Sequence, residues 1–96
     1  MNLRRAAKVD ANQPDIVKAL RKLGAVVIHL GHPVDLLVGL SGRWLPVEIK
    51  DPSQPPSKRE LTDDQQAVFS LARQHNLPIA KCETVEDVLL AFRIWA

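Results

Sequence analysis

The chain has 96 residues, of which 46% are hydrophobic and 25% are charged, and its formal net charge is +2. We expect one globular domain over residues 1–96, because this balance supplies one compact core. No apolar run approaches the roughly 20 residues needed to cross a bilayer, and the basic N-terminus lacks the apolar segment of a signal peptide. Cys82 is the single cysteine, which excludes an internal disulfide and favours a reducing cytoplasm.

The first third of the chain predicts one helix and one strand. Residues 1–12 are polar and are predicted to be irregular. Pro14 suits the first turn of a helix, whose apolar residues recur at helical spacing until Gly24 ends it. Residues 25–30 are a short β-branched run, closed by a glycine and a proline, and are predicted to form a strand.

Two further strands follow, over residues 35–40 and 43–50. Ser41-Gly42 separates them, and glycine tolerates the positive φ that a two-residue hairpin turn requires. Residues 51–60 contain three prolines and two serines and are predicted to form a loop.

The last third predicts helix, strand and helix. Thr62 and Gln65 form a capping-box pattern at the start of a helix that Asn76 and Pro78 terminate. Residues 79–82 fit a strand, and Thr84 caps a final helix. The resulting order, α-β-β-β-α-β-α, predicts an α/β fold with a small mixed β-sheet flanked by helices.

The hairpin at Ser41-Gly42 fixes which residues face each other. Counting outward from the turn pairs Leu40 with Arg43 and brings Asp35 opposite Glu48. Because side chains alternate along a strand, the two faces differ sharply in polarity. One face carries Leu36, Val38, Leu40, Leu45, Val47 and Ile49; the other carries Asp35, Leu37, Gly39, Trp44, Pro46, Glu48 and Lys50.

Two carboxylates therefore meet on the polar side of the hairpin. Directly paired residues have Cβ atoms roughly 5 Å apart, where like charges repel. A hard cation such as Mg²⁺ offsets such repulsion, since it prefers carboxylate oxygens. Asp35 and Glu48 are the predicted ligands, with the backbone carbonyl of Ile49. Lys50 is predicted to orient a water or to stabilise charge on a phosphoryl transition state. The competing interpretation is a surface ion pair in which Lys50 only moderates the repulsion.

This pattern resembles the PD-(D/E)XK nuclease motif. Pro33-Val34-Asp35 and Glu48-Ile49-Lys50, with residues 36–47 between them, carry the resemblance, and Leu61-Thr62-x-x-Gln65 is similar to a segment of the VRR-NUC group. The likeness extends from about Asp10 to Phe92. It implies a restriction-endonuclease-like core and a Mg²⁺- or Mn²⁺-dependent endonuclease acting on DNA. It also implies a homodimer, a preference for branched DNA or junctions, and a bacterial or phage-infected cell as the setting.

The resemblance leaves several residue roles open. Family members often carry an acidic residue on the first helix, for which Asp15 is the candidate and Asp10 the alternative. Gln65 resembles an active-site glutamine, although the capping box explains it equally well. Val34 is one residue more than the motif has. Pro46 lacks an amide proton, so it must occupy a bulge or a position that donates no hydrogen bond.

Basic residues are clustered rather than numerous. Arg5 and Lys8 near the start, and Lys58 and Arg59 in the proline-rich loop, are the predicted nucleic-acid contacts; Lys18, Arg21 and Lys22 form another cluster on the first helix. Each cluster alone is equally compatible with a solvated face. Two other functions remain open: a non-catalytic DNA-binding or assembly module, and a nuclease directed at RNA.

Overall fold

The computed structural model describes residues 9–95, in which helices and strands follow one another along the chain. The elements are α1 (Gln13–Lys22), β1 (Val26–His29), β2 (Leu36–Leu40), β3 (Arg43–Ile49), a short 3-10 turn (Pro56–Lys58), α2 (Asp63–Gln74), β4 (Ala80–Cys82) and α3 (Val85–Ile94). The strands form one sheet in the order β1-β2-β3-β4. The pairs β1–β2 and β2–β3 are antiparallel and β3–β4 is parallel, so the predicted mixed sheet is confirmed.

The hairpin between β2 and β3 has the predicted turn. Ser41 and Gly42 have φ values of 55° and 77°, as a two-residue turn with positive φ at both central positions requires. The register pairs Leu40 with Arg43 and, at the far end, Leu36 with Val47. Asp35 directly precedes Leu36 and Glu48 directly follows Val47, so the register is the one from which their opposition was predicted.

Pro46 occupies the centre of the sheet without interrupting it. It pairs with Leu37 in continuous register, so the hairpin contains no bulge. Residues flanking a two-residue turn form a hydrogen-bonded pair and the pairs then alternate, which leaves Leu37 and Pro46 as a non-hydrogen-bonded pair. On the other side, β4 begins pairing only at Val47. Neither neighbouring strand needs an amide proton from Pro46.

The hydrophobic core lies between one face of the sheet and the helices α1 and α3. Its strand residues include Leu36, Val38, Leu45, Val47 and Ile49, each 1% exposed or less. The helices contribute Ile16, Val17, Leu20, Val88, Ala91 and Phe92. Burial of each large side chain stabilises the fold by about 1.5–3 kcal/mol. A slip of one residue would expose this whole face, so the core itself fixes which residues lie on the opposite face.

The three helices are short. None of those within residues 9–95 is both long and apolar enough to span a membrane. Helix α2 begins with the predicted capping box: Thr62 Oγ1 accepts a hydrogen bond from the Gln65 amide, and Gln65 Oε1 accepts one from the Thr62 amide. Thr84 caps α3, since its Oγ1 accepts a hydrogen bond from the amide of Asp87.

The turn offers a test of how strongly the hairpin is specified. Gly42 at φ 77° is the position where a Cβ is disfavoured, and we expect Gly42→Ala to lower the free energy of unfolding by about 1 kcal/mol. Ser41→Gly is the matched control, for which we expect little change in the free energy of unfolding. Glycine relieves the positive φ, but it also adds conformational freedom to the unfolded chain. Urea unfolding measures both. Equal stability of Gly42→Ala and the wild type would contradict the assigned turn.

Candidate active site at the end of the hairpin

Asp35 lies where the chain enters β2, and its backbone and side chain are both held. Its carbonyl accepts hydrogen bonds from the amides of Leu30 (2.8 Å) and Gly31 (3.2 Å). Its Oδ2 accepts a hydrogen bond of 2.8 Å from the amide of Ile49. The bond from Ile49 ties the carboxylate to the last residue of β3. The position of Asp35 relative to Glu48 therefore depends on strand geometry rather than on a flexible side chain.

Glu48 and Lys50 are buried on the same side of β3. They are 4% and 8% exposed, and Lys50 Nζ lies 3.4 Å from Glu48 Oε2. The backbone of this segment is fixed by β4, since the Lys50 amide donates to the carbonyl of Cys82 at 2.9 Å. Glu48 Oε1 is buried and has no hydrogen-bond partner in the described part of the chain. A buried carboxylate oxygen without a partner is costly, which points to a missing proton donor or cation.

The electrostatics of the site are those of two acids in one small volume. Burial raises the pKa of Glu48 from 4.5 to about 7, and repulsion from Asp35 adds to this effect, whereas Lys50 opposes it. Burial also raises the pKa of Asp35, although the hydrogen bonds from the Ile49 amide and from Glu48 oppose the rise. The two carboxyl groups therefore influence each other, and this interaction raises the pKa of Glu48 and lowers that of Asp35.

Gln65 completes the predicted capping box and also contacts Lys50. Its Oε1 accepts a hydrogen bond from the Thr62 amide at 3.0 Å, which completes the capping box. The same oxygen accepts a bond of 3.2 Å from Lys50 Nζ. Helix α2 therefore positions the ammonium group of Lys50 through its first turn, and this ammonium group lies between Gln65 and Glu48.

The helix-borne acid does not join the two carboxylates. Asp15 is exposed on the first turn of α1, and Asp10 accepts a hydrogen bond from the Gln13 amide through its backbone carbonyl. Residues 9–95 contain no group of three or more His, Cys, Asp or Glu side chains suited to holding a metal ion. The role of Asp15 as a ligand, and that of the Ile49 carbonyl, stay predictions.

Two amide side chains missed by sequence analysis lie at the start of α1. Asn12 Nδ2 donates to the carbonyls of Lys50 (3.0 Å) and Glu83 (2.9 Å), and so joins α1 to the ends of β3 and β4. Gln13 is 4% exposed, and its buried Oε1 has no hydrogen-bond partner among the described residues. The available signal was the position of both amides directly before Pro14, where a helix was expected to begin.

The predicted nucleic-acid contacts are distributed unevenly. Arg5 and Lys8 lie outside the described residues. Lys58 is exposed at the end of the 3-10 turn. Arg59 is held by the protein itself, because its guanidinium lies 3.6 Å from a carboxylate oxygen of Glu83. Of the two loop residues, Lys58 is therefore the more available to a phosphate.

Comparisons with known proteins add no relative to this description. No family model, curated protein or solved structure matches the chain.

The raised pKa of Glu48 has a consequence for stability in EDTA. In EDTA the folded protein keeps a proton on Glu48 at pH values where the unfolded chain has released it. The stabilisation that results is fully present below pH 4.5 and is lost as the pH rises through about 7. We expect the free energy of unfolding to fall by on the order of 2 kcal/mol between about pH 5 and pH 8. Urea unfolding across this range measures it.

Variants separate this effect from the titration of other groups. Glu48→Gln should remove most of the decrease, since it cannot ionise. Glu86→Gln, on the exposed first turn of α3, should leave the decrease unchanged. A wild-type profile as flat as that of Glu48→Gln would show that Glu48 ionises normally.

Proposed function

We propose that the protein is a Mg²⁺- or Mn²⁺-dependent endonuclease that hydrolyses phosphodiester bonds of DNA. The observation that carries this proposal is the pair of half-buried Asp35 and buried Glu48. One carboxylate oxygen of Glu48 is unpartnered, and its other oxygen lies beside Lys50. The resemblance of these residues to the PD-(D/E)XK motif of the VRR-NUC group supports it. So does the mixed sheet, whose element order fits a restriction-endonuclease-like core.

The charges present favour a divalent cation. Ionised Asp35 and Glu48 bring two negative charges, of which Lys50 offsets one. Burial, with repulsion from Asp35 added to it, raises the pKa of Glu48 to about 7. A hard cation that replaced the proton on Glu48 would satisfy both carboxylates and the unpartnered Oε1, because Mg²⁺ and Mn²⁺ favour oxygen ligands.

Each residue has a separate part in the proposed hydrolysis. Asp35, held by the Ile49 amide, and Glu48 would hold the ion. When bound, the ion polarises the scissile phosphate and makes a water a stronger nucleophile. Lys50 stabilises the negative charge that develops on the phosphoryl oxygens or orients the attacking water. Gln65 keeps the Lys50 ammonium in place through the bond at 3.2 Å.

The reaction needs no covalent nucleophile. The single cysteine is unsuited to that role, since burial raises the pKa of Cys82 to about 12. Direct attack by water is therefore the chemistry proposed. By the family resemblance alone, a homodimer with two such sites would act on branched DNA or junctions.

Substitutions in the site test the proposed activity. We expect Glu48→Gln and Lys50→Ala each to lower the cleavage rate by about 100-fold or more, because each removes charge stabilisation of the transition state. The assay uses linear, nicked and four-way DNA, together with single-stranded RNA, in Mg²⁺, Mn²⁺ or EDTA. Glu86→Gln and Arg93→Gln are controls, because both residues are exposed on α3.

The assay also separates the competing functions. Binding of DNA without cleavage in any metal would contradict the nuclease proposal and favour a binding or assembly module. Cleavage of RNA alone would move the substrate from DNA to RNA. Full activity in Glu48→Gln, with circular dichroism unchanged, would contradict the assigned site.

Metal binding has a readout that does not depend on activity. At about pH 8, Mn²⁺ at 100 times its dissociation constant should stabilise the wild type by about 2.7 kcal/mol. The stabilisation should weaken towards pH 5, since protons compete for Glu48. Thermal unfolding measures it, with Glu48→Gln expected to lose most of the effect. Equal stabilisation of both proteins at both pH values would place the ion elsewhere.

A further inference from the structure

A groove runs beside α1 on the side of the molecule next to β1. It encloses about 570 Å³, and we call it the α1 groove. Among the described residues its lining contains four basic side chains and no acidic one. The basic residues are Lys18, Arg21, Lys22 and His29. Its other lining residues include Gln13 and Val17. The exposed acid of the same helix, Asp15, does not line it.

The cations of the α1 groove are arranged on one face of the helix. Lys18 and Lys22 are four residues apart, so they are neighbours about 6 Å apart along the axis. Among the described residues neither lysine has an ion-pair partner. Arg21 is oriented by a hydrogen bond of 3.0 Å to the carbonyl of Val27. The two lysines are therefore available to anions, and Arg21 is fixed at the groove.

The α1 groove reaches the backbone next to Asp35 through its lining residue His29. His29 pairs with Leu36, the residue that directly follows Asp35. Leu30, the residue after His29, donates a hydrogen bond of 2.8 Å from its amide to the carbonyl of Asp35. The lining residue Gln13 follows Asn12, whose amide group holds the Lys50 carbonyl at 3.0 Å.

A site with two carboxylates repels a phosphate unless cations lie along its approach. Fields from several like charges in a concave surface add together and concentrate counter-charge there. Lys50 is buried and engaged with Glu48 and Gln65, so it adds little to long-range attraction. The α1 groove supplies such cations, and its lining residue His29 pairs with Leu36, the neighbour of Asp35 in the chain.

We propose that the α1 groove binds the sugar-phosphate backbone of a nucleic-acid strand and leads it to Asp35 and Glu48. This inference rests on the proposed nuclease function and names the surface that holds its substrate. The contacts are with phosphates, so they position the strand without selecting its sequence.

The test compares two variants that lose the same charge. Lys18→Gln/Lys22→Gln removes the two available cations of the α1 groove. Arg73→Gln/Arg93→Gln removes two exposed cations from α2 and α3 and is the matched control. Fluorescence anisotropy in EDTA, over a salt series, measures binding of a fluorescein-labelled single strand and of its duplex. Circular dichroism checks that each variant is folded.

We expect the lysine variant to bind more weakly and with a weaker salt dependence. Loss of two phosphate contacts lowers the slope of log K against log salt by about 1.4 for the single strand or about 1.8 for the duplex. The control variant should keep the wild-type slope. Equal slopes in the two variants would overturn the inference, as would wild-type binding of a labelled polyglutamate peptide as tight as that of DNA.

Cleavage assays keep this inference separate from the proposed function. Glu48→Gln should lose cleavage but keep the wild-type salt slope. If the wild type cleaves while the lysine variant keeps the wild-type slope, the nuclease function stands and the groove assignment fails. If the wild type never cleaves but the lysine variant binds with a smaller slope of log K against log salt than the wild type, the α1 groove stands as a nucleic-acid surface. The nuclease function then fails.

Discussion

The repulsion between Asp35 and Glu48 is the interaction on which the candidate site depends, and it is imposed by the packing of the other face of the hairpin. Five apolar residues of β2 and β3 are almost fully buried, so the register cannot shift without exposing them. The two acids are thereby held together although they repel each other. Burial raises the pKa values of both groups, repulsion from Asp35 adds to the rise at Glu48, and one carboxylate oxygen of Glu48 is left unsatisfied. Hydrophobic burial thus maintains an electrostatic arrangement that would not form by itself.

The surroundings of the acids come from three parts of the chain that are distant in sequence. Gln65 brings the first turn of α2 to Lys50, and Asn12 brings the start of α1 to the Lys50 carbonyl. Because the start of α1 contacts its carbonyl and the first turn of α2 contacts its ammonium group, Lys50 is fixed at both its backbone and its side chain. Lys50 directly precedes the loop between β3 and α2, and Gln65 follows this loop. The hydrogen bond between their side chains therefore holds the two ends of the loop together.

The elements and the hairpin register could be predicted from the sequence because they depend on local rules. Alternating apolar residues and a turn at Ser41-Gly42 were sufficient to pair Leu36 with Val47 and to bring the two acids together. The sequence left a bulge and a non-donating position open for Pro46, and the structure shows continuous register there. Residues that act across distant elements were harder to predict. The tie from Asn12 to Lys50 depends on how α1 packs against the sheet, and no periodicity encodes it. The choice of Asp15 rested on the family resemblance, whereas the structure exposes this residue and buries Gln13.

The buried thiol of Cys82 has a practical consequence. It is 1% exposed, and burial raises the pKa of its thiol to about 12, so almost no thiolate forms near neutral pH. Since Cys82 is the single cysteine of the sequence, maleimide reagents have no reactive native target in the folded protein. A cysteine introduced on the surface would be labelled selectively, and spectroscopic probes could be attached at one chosen point without first removing a native residue.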